Sequence, residues 1–233
     1  MALFKELLVA DLSGKVGANV FSHNRGGKYV RVLSIPTNPN TPQQQLVRSA
    51  FAGLSTRWFN ILNATQRNSW TIYAQNVPVT NRIGERVNLS GLAMYIRCNT
   101  AKFAQGIPIT DDGPTDFTDS VFLPQPPANA TEAGQTIDFA FAVSPLSAPW
   151  ANEAGSFLLI YVSAPQNASV RFFTGPYRFA GAQEGDPAPP SSPFTVGAPF
   201  PFVAGQKLFW RQVIAQLDGR ISITPRGEII AVA

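Results

Sequence analysis

Apolar and polar positions change their period twice along this chain. Residues 1–12 form an apolar arm with weak helical spacing, carried by Leu3, Leu7 and Leu8. From residue 15 to 35 the period is two. Val16, Ala18 and Val20 share a face, and Ser22-His23-Asn24-Arg25-Gly26-Gly27 turns the chain. Lys28 to Leu33 then returns, with Tyr29 and Arg31 opposite Val30 and Val32. That pattern predicts a β-hairpin, in which Gly26 and Gly27 supply the positive φ of the turn. A phosphate cradle would need a helix directly after the glycines, and a strand follows instead.

The period then becomes helical. Pro36-Thr37-Asn38-Pro39-Asn40 cannot be regular structure, because each proline also restricts the residue before it. Thr41-Pro42-Gln43-Gln44 reads as a helix start: Thr41 as N-cap, Pro42 in the first turn, Gln44 closing a capping box. Val47, Phe51, Leu54, Trp58 and Ile61 follow at helical spacing, with Leu46, Ala50 and Leu62 alongside. A second box, Asn63 with Gln66, opens a helix carrying Trp70, Tyr73 and Ala74. Asn88 or Ser90 opens a third, with Leu92, Tyr95, Ile96 and Phe103.

Residues 106–134 are a linker by composition, rich in Pro, Asp and Gly, and the expected place for proteolysis. Beyond it the period returns to two. Ile137, Phe139, Phe141 and Val143 alternate, and apolar runs follow at 157–162, 170–173, 194–196, 207–215, 221–223 and 228–232. About seven short strands separated by turns predict a β-sandwich. The closing KLFWRQVIAQLDGRISITPRGEIIAV resembles the last hairpin of fibronectin-III or immunoglobulin-like modules. The expected fold is therefore α+β. A hairpin with about three helices (13–105) follows the arm (1–12), and an immunoglobulin-like sandwich (135–233) follows the linker (106–134).

Composition sharpens this plan. Charged residues are 14% of the 233, against about 25% in ordinary domains. With 17 Phe and 20 Pro, much of the surface is apolar or uncharged, which is best tolerated where a partner covers it. Residues 1–110 carry a charge of +9 and residues 111–233 a charge of −5, so two copies can attract head to tail. A single cysteine removes the disulfide-scaffold class. No run is long and apolar enough for a membrane helix. The sequence begins without a signal-peptide pattern, so the Asn-x-Ser/Thr sequons at Asn63, Asn88, Asn129 and Asn167 read as chance.

Candidate chemistry is sparse. His23 and Cys98 are the only residues of their kinds; a turn histidine and a small core cysteine are the simpler reading than a nucleophile and its base. Zinc lacks ligands. Asp111, Asp112, Asp116 and Asp119 could face a hard cation, but they lack EF-hand spacing and read as a solvated acidic linker. No cofactor, metal or catalytic set is expected. The basic residues of the first half, among them Arg25, Lys28, Arg31 and Arg48, make nucleic acid a second partner class, though no binding motif or basic run accompanies them. Trp150, Tyr161, Tyr177 and Trp210 would be the stacking platforms if the sandwich bound glycans.

One resemblance covers Gly14–Ala74. GKVGANV, GGKYVR, PTNPNTPQQ, VRSAFAGLSTRW and QRNSW occur in the order found in a group of small bacteriophage- and prophage-encoded proteins. It implies a virion structural role: a capsid-associated, decoration or tail subunit made in the bacterial cytoplasm, self-associating or docking on other virion proteins. The expected assembly surface comprises Leu3, Phe4, Leu7, Leu8, Arg25, Gly26, Gly27, Lys28, Tyr29 and Arg31.

Overall fold

The computed structural model describes residues 2–4, 13–35, 37–81, 83–118, 126–144 and 148–233. The chain divides into two compact units, Met1–Thr100 and Ala101–Ala233. It is α+β, with three α-helices and several antiparallel sheets among the described residues.

The first unit opens with a four-stranded antiparallel sheet. Its strands are β1 (Ala2–Phe4), β2 (Gly14–Val16), β3 (Asn19–Asn24) and β4 (Gly27–Val32), in the order β1-β4-β3-β2. The expected hairpin is present as β3 and β4, with Arg25-Gly26 between the paired Asn24 and Gly27. Two details differ from expectation. Val16 and Val20 do not share one strand, because Gly17, at φ +58°, turns the chain between β2 and β3. The arm is not helical where it is described: Ala2, Leu3 and Phe4 pair with Val30, Tyr29 and Lys28. Leu7 and Leu8 lie outside the described residues. Of the two turn glycines only Gly27 needs its freedom, at φ +109°. Gly26 has ordinary φ and donates its N–H to Asn24 Oδ1 at 2.8 Å.

Helices α1 (Pro42–Asn60), α2 (Ala64–Asn76) and α3 (Gly91–Ala104) follow. Local chemistry starts each one. Thr41 and Gln44 form the predicted capping box of α1, Asn63 and Gln66 that of α2, and Ser90 Oγ accepts from Ala93 N at α3. The Pro/Asn-rich loop is fixed by Arg48, which donates to Asn38 Oδ1 at 2.7 Å and Asn40 Oδ1 at 3.2 Å. An aromatic set makes the core. Tyr95 lies 5.5 Å from both Trp58 and Trp70, and Trp70 meets Tyr73 edge-on at 5.9 Å. Such pairs add roughly 0.5–1.5 kcal/mol each beyond area burial. Gly91 lets α3 start against α2, since a Cβ there would sit 3.0 Å from Thr71 N. The buried stripe of α1 is Ala50, Leu54, Trp58 and Leu62; the predicted Val47, Phe51 and Ile61 are exposed. A two-stranded ribbon, β5 (Val79–Thr80) with β6 (Arg86–Val87), was not expected from the pattern.

Among its described residues the second unit holds seven strands in two antiparallel sheets. They are β7 (Pro127–Thr131), β8 (Thr136–Phe139), β9 (Phe157–Ser163), β10 (Tyr177–Glu184), β11 (Phe194–Gly197), β12 (Lys207–Ala215) and β13 (Arg226–Ile230). One sheet runs β11-β8-β7, the other β10-β9-β12-β13. Their facing sides share one core, with Ile137 and Phe139 from one sheet and Leu158, Ile160, Val162, Leu208, Trp210 and Ile214 from the other. Strands β9 and β12 carry buried apolar side chains on both faces. Leu159, Tyr161, Val213 and Ala215 form a second cluster on the outer side, against which Ala101 and Ile107 pack.

The composition-based linker does not survive as a free segment. Pro127–Thr131 within it is β7. Lys102, 2% exposed, donates to Gln216 O at 2.7 Å, and Thr110 Oγ1 donates to Leu217 O at 3.1 Å. Arg220 pairs with Asp116 at 2.6 Å. Contacts from Lys102, Thr110 and Asp116 thus tie this stretch to the segment around the Asp218-Gly219 turn. Of the other strand expectations, residues 170–173 and 221–223 lie outside the named strands, Ile221 making only an isolated bridge to Ala215, and β10 goes unread in the sequence.

Candidate functional site

Two surfaces carry the functional argument, one in each unit. The first is the N-terminal sheet. No described side chain of β2, β3 or β4 is buried. Val32 is 69% exposed and Ile35, just past β4, 91%. Val16 and Leu33 are exposed too, and on α1 so are Val47 and Phe51. A sheet needs an apolar face buried against something to be stable on its own, which makes these exposed apolar side chains a candidate interface.

The predicted assembly residues distribute over this sheet. The backbone of Leu3 and Phe4 forms its β1 edge. Arg25 and Gly27 are exposed at the β3–β4 turn, with Gly26 half-buried between them. Lys28 and Tyr29 are half-buried on β4, and Arg31 is exposed. Arg25 also lines an open cleft of about 610 Å³, together with Phe59, Gln75, Asn88 and Leu92. Sequence reasoning missed Val16, Val32 and Ile35, because alternating valines on a strand read as a core face.

The second surface is the outer side of the β10-β9-β12-β13 sheet. Alternation on β12 sends Trp210 inward and Phe209 and Arg211 outward. Opposite them on β13 stand Glu228 and Arg226. Arg211 lies over the rings of Tyr161 at 4.5 Å and Tyr177 at 5.6 Å. Burial pushes the Tyr161 phenol above its ordinary pKa, while the Arg211 charge opposes that shift. The Nε of Arg211 is buried without a hydrogen-bond partner. Phe173 stacks on Phe209 at 5.3 Å and 15° and meets Tyr177 edge-on at 5.3 Å. These rings floor a cleft of about 200 Å³ rimmed by Arg171, Phe172, Arg226 and Glu228. Lys207 holds the rim in place, binding Glu228 Oε1 and Val170 O at 2.9 Å each.

Other sequence candidates fall elsewhere. Trp150 and Trp210 are core residues at 1% and 5% exposure, and Tyr161 is buried, so none of these three can be a glycan platform. Tyr177 is half-buried as part of the cleft floor. His23 is exposed on β3 rather than in the turn, and Cys98 is buried in α3. Asp116 accepts from Thr118 N and Oγ1 as well as from Arg220. The Thr118 bonds, with the Arg220 charge, hold its carboxyl below the usual value. Asp119 lies outside the described residues, and among those described no group of three or more His, Cys, Asp or Glu could hold a metal. Nor is any described helix long and apolar enough to cross a membrane. No family model, curated protein or solved structure matches this chain.

Proposed function

We propose that this protein is a structural subunit of a bacteriophage virion, without catalytic activity. It is made in the host cytoplasm and joined to other virion subunits or copies of itself through its N-terminal unit. One observation carries the reading: a four-stranded sheet in which no described side chain is buried. Such a sheet gains little by folding alone, because three or more strands need an apolar face packed on something. A subunit that buries this face on assembly solves the problem. The opposite charges of the two halves support association between copies, since a basic face of one meets an acidic face of the next.

We read the second unit as an immunoglobulin/fibronectin-III-like domain. In chain order its seven strands form sheets 5-2-1 and 4-3-6-7, both antiparallel, around one core. Two facing antiparallel sheets, with strand pairs 1-2, 3-4 and 6-7 each kept within one sheet and strand 5 crossing back to pair with strand 2, support that reading.

The deciding experiment is quantitative mass spectrometry of gradient-purified particles. The chain is expected at a fixed copy number per particle. Hundreds of copies mean a shell or tube position, and a dozen or fewer a neck or fibre. A chain that is made during infection but missing from purified particles would refute the proposal.

A further inference from the structure

We infer that the aromatic cleft on the outer side of the β10-β9-β12-β13 sheet binds an acidic sugar residue, such as a uronic acid within a surface polysaccharide. The inference concerns the second unit and does not depend on how the first assembles.

The cleft has an apolar floor that is already satisfied. Phe173 and Phe209 stack on each other and Tyr177 closes their edge. Phe172, next to them, is 75% exposed. An exposed phenylalanine face beside a packed aromatic floor suits the C–H face of a pyranose, an apolar patch flanked by hydroxyls. At about 200 Å³ the cleft is smaller than sites for drug-sized ligands, which span roughly 300–1,000 Å³. It takes one ring, with the rest of the ligand in solvent, as for a unit of a chain.

The rim fixes the charge of that ring. Arg171 and Arg226 line the cleft, and among the described residues neither makes an ion pair or side-chain hydrogen bond. Arg226 is also the cross-strand partner of Arg211 on the same face. Like charges directly opposite are unfavourable in a sheet, and no carboxylate bridges these two. A bound carboxylate relieves that repulsion and is matched by the planar fork of a guanidinium.

Glu228 separates a sugar from other anions. Lys207 binds its Oε1, which leaves Oε2 to accept from a hydroxyl. An aromatic acid stacks on Phe172 and pairs with the arginines, but it offers Glu228 no donor. Inorganic phosphate pairs with the arginines and leaves the aromatic floor unused. An acidic sugar has the C–H face, the carboxylate and the hydroxyl donors together.

The test is titration of the full chain, followed by NMR, with four probes: glucuronic and galacturonic acid oligosaccharides, their neutral counterparts, benzoate and inorganic phosphate. Saturable binding of an acidic oligosaccharide is expected, at least about tenfold tighter than the neutral one, because the carboxylate adds charge-assisted bonds to arginine. Phe172→Ala, Arg171→Ala and Arg226→Ala should each weaken it by about tenfold or more. All three side chains are exposed, so circular dichroism should match the parent. The inference is overturned if no acidic oligosaccharide binds saturably. It is equally overturned if neutral sugar, benzoate or phosphate binds as tightly, or if the three variants bind like the parent. None of these outcomes touches incorporation into particles, which is read separately.

Discussion

The assembly proposal is most directly tested by changing apolar side chains that the folded chain leaves in water. Val32→Thr with Ile35→Thr keeps both β-branches, so strand preference is held nearly constant. Val32 is 69% exposed and Ile35 91%. Substitutions at such positions usually change fold stability by no more than about 0.5 kcal/mol each, or about 1 kcal/mol for the pair, so the melting temperature should move by only a few degrees. In an assembled interface the same two hydroxyls would be desolvated. Burying a hydroxyl without a partner costs roughly 1–3 kcal/mol, or about 2–6 kcal/mol for the pair. At about 1.4 kcal/mol per tenfold, association should weaken at least about thirtyfold. The assay is competitive incorporation: parent and variant are produced together in infected cells, and their ratio in purified particles is measured by mass spectrometry. A thermal melt of the isolated chain serves as control. Equal incorporation by a normally folded variant would show that this face is not buried on assembly, and the central observation would lose its force.

Two further outcomes follow from the second unit. Gly185→Ala should destabilise it by at least about 3 kcal/mol, a size reserved for forced rearrangements, because a Cβ there would lie 1.9 Å from the backbone oxygen of Trp150. Gly197→Ala, which meets nothing within 4 Å, is the matched control, and denaturant melts read both. The Asp116 carboxyl, held below its ordinary value of 3.8, stabilises the fold above that pH. Its contribution disappears as pH falls through the lowered folded value. Asp116→Asn should therefore flatten the acid limb of a stability–pH curve below about pH 4, and an unchanged limb would show that the carboxylate's bonds to Thr118 and its pairing with Arg220 together contribute nothing.

What was legible in the sequence was local. Thr41 with Gln44 and Asn63 with Gln66 name their helix starts because a capping box lies within four residues. Asp218-Gly219 names its turn for the same reason, and the turn read over Ser22–Gly27 contains the Arg25-Gly26 loop between the paired Asn24 and Gly27. The misses need information from far along the chain. Strand β10 is half-buried at nearly every position, so it shows no alternation. Strand β7, PANAT, has loop composition and becomes a strand by pairing with β8. On α1 the helical period is right, yet Val47 and Phe51 remain exposed, because no period says how far a neighbour extends. The aromatic cleft joins residues 171–173 to 226–228, and β12 lies between the two segments in sequence. RFF reads as one strand and Glu228 as the start of another, and nothing in either stretch shows that they meet until the stacking of Phe173 on Phe209 brings them together.

The N-terminal arm offers the last prediction, and here the structure changes the physical argument. Read from sequence, residues 2–10 dock on a neighbour. In the folded chain Ala2–Phe4 pairs with β4 and forms an edge of the sheet. Removing residues 2–10 therefore makes β4 the new edge, with unpaired N–H and C=O groups along Lys28, Tyr29 and Val30. An uncovered strand edge invites pairing with another chain, although Lys28 and Arg31 discourage unselective addition by their charge. The three helices are built from other residues, so their circular dichroism should be retained. Amide exchange should accelerate in β4, and incorporation into particles should fall, because the edge that assembly meets has changed. Unchanged β4 exchange after truncation would mean that β1 does not pair there in solution. Accelerated exchange with full incorporation would mean that β1 pairs with β4 but that assembly does not use this edge.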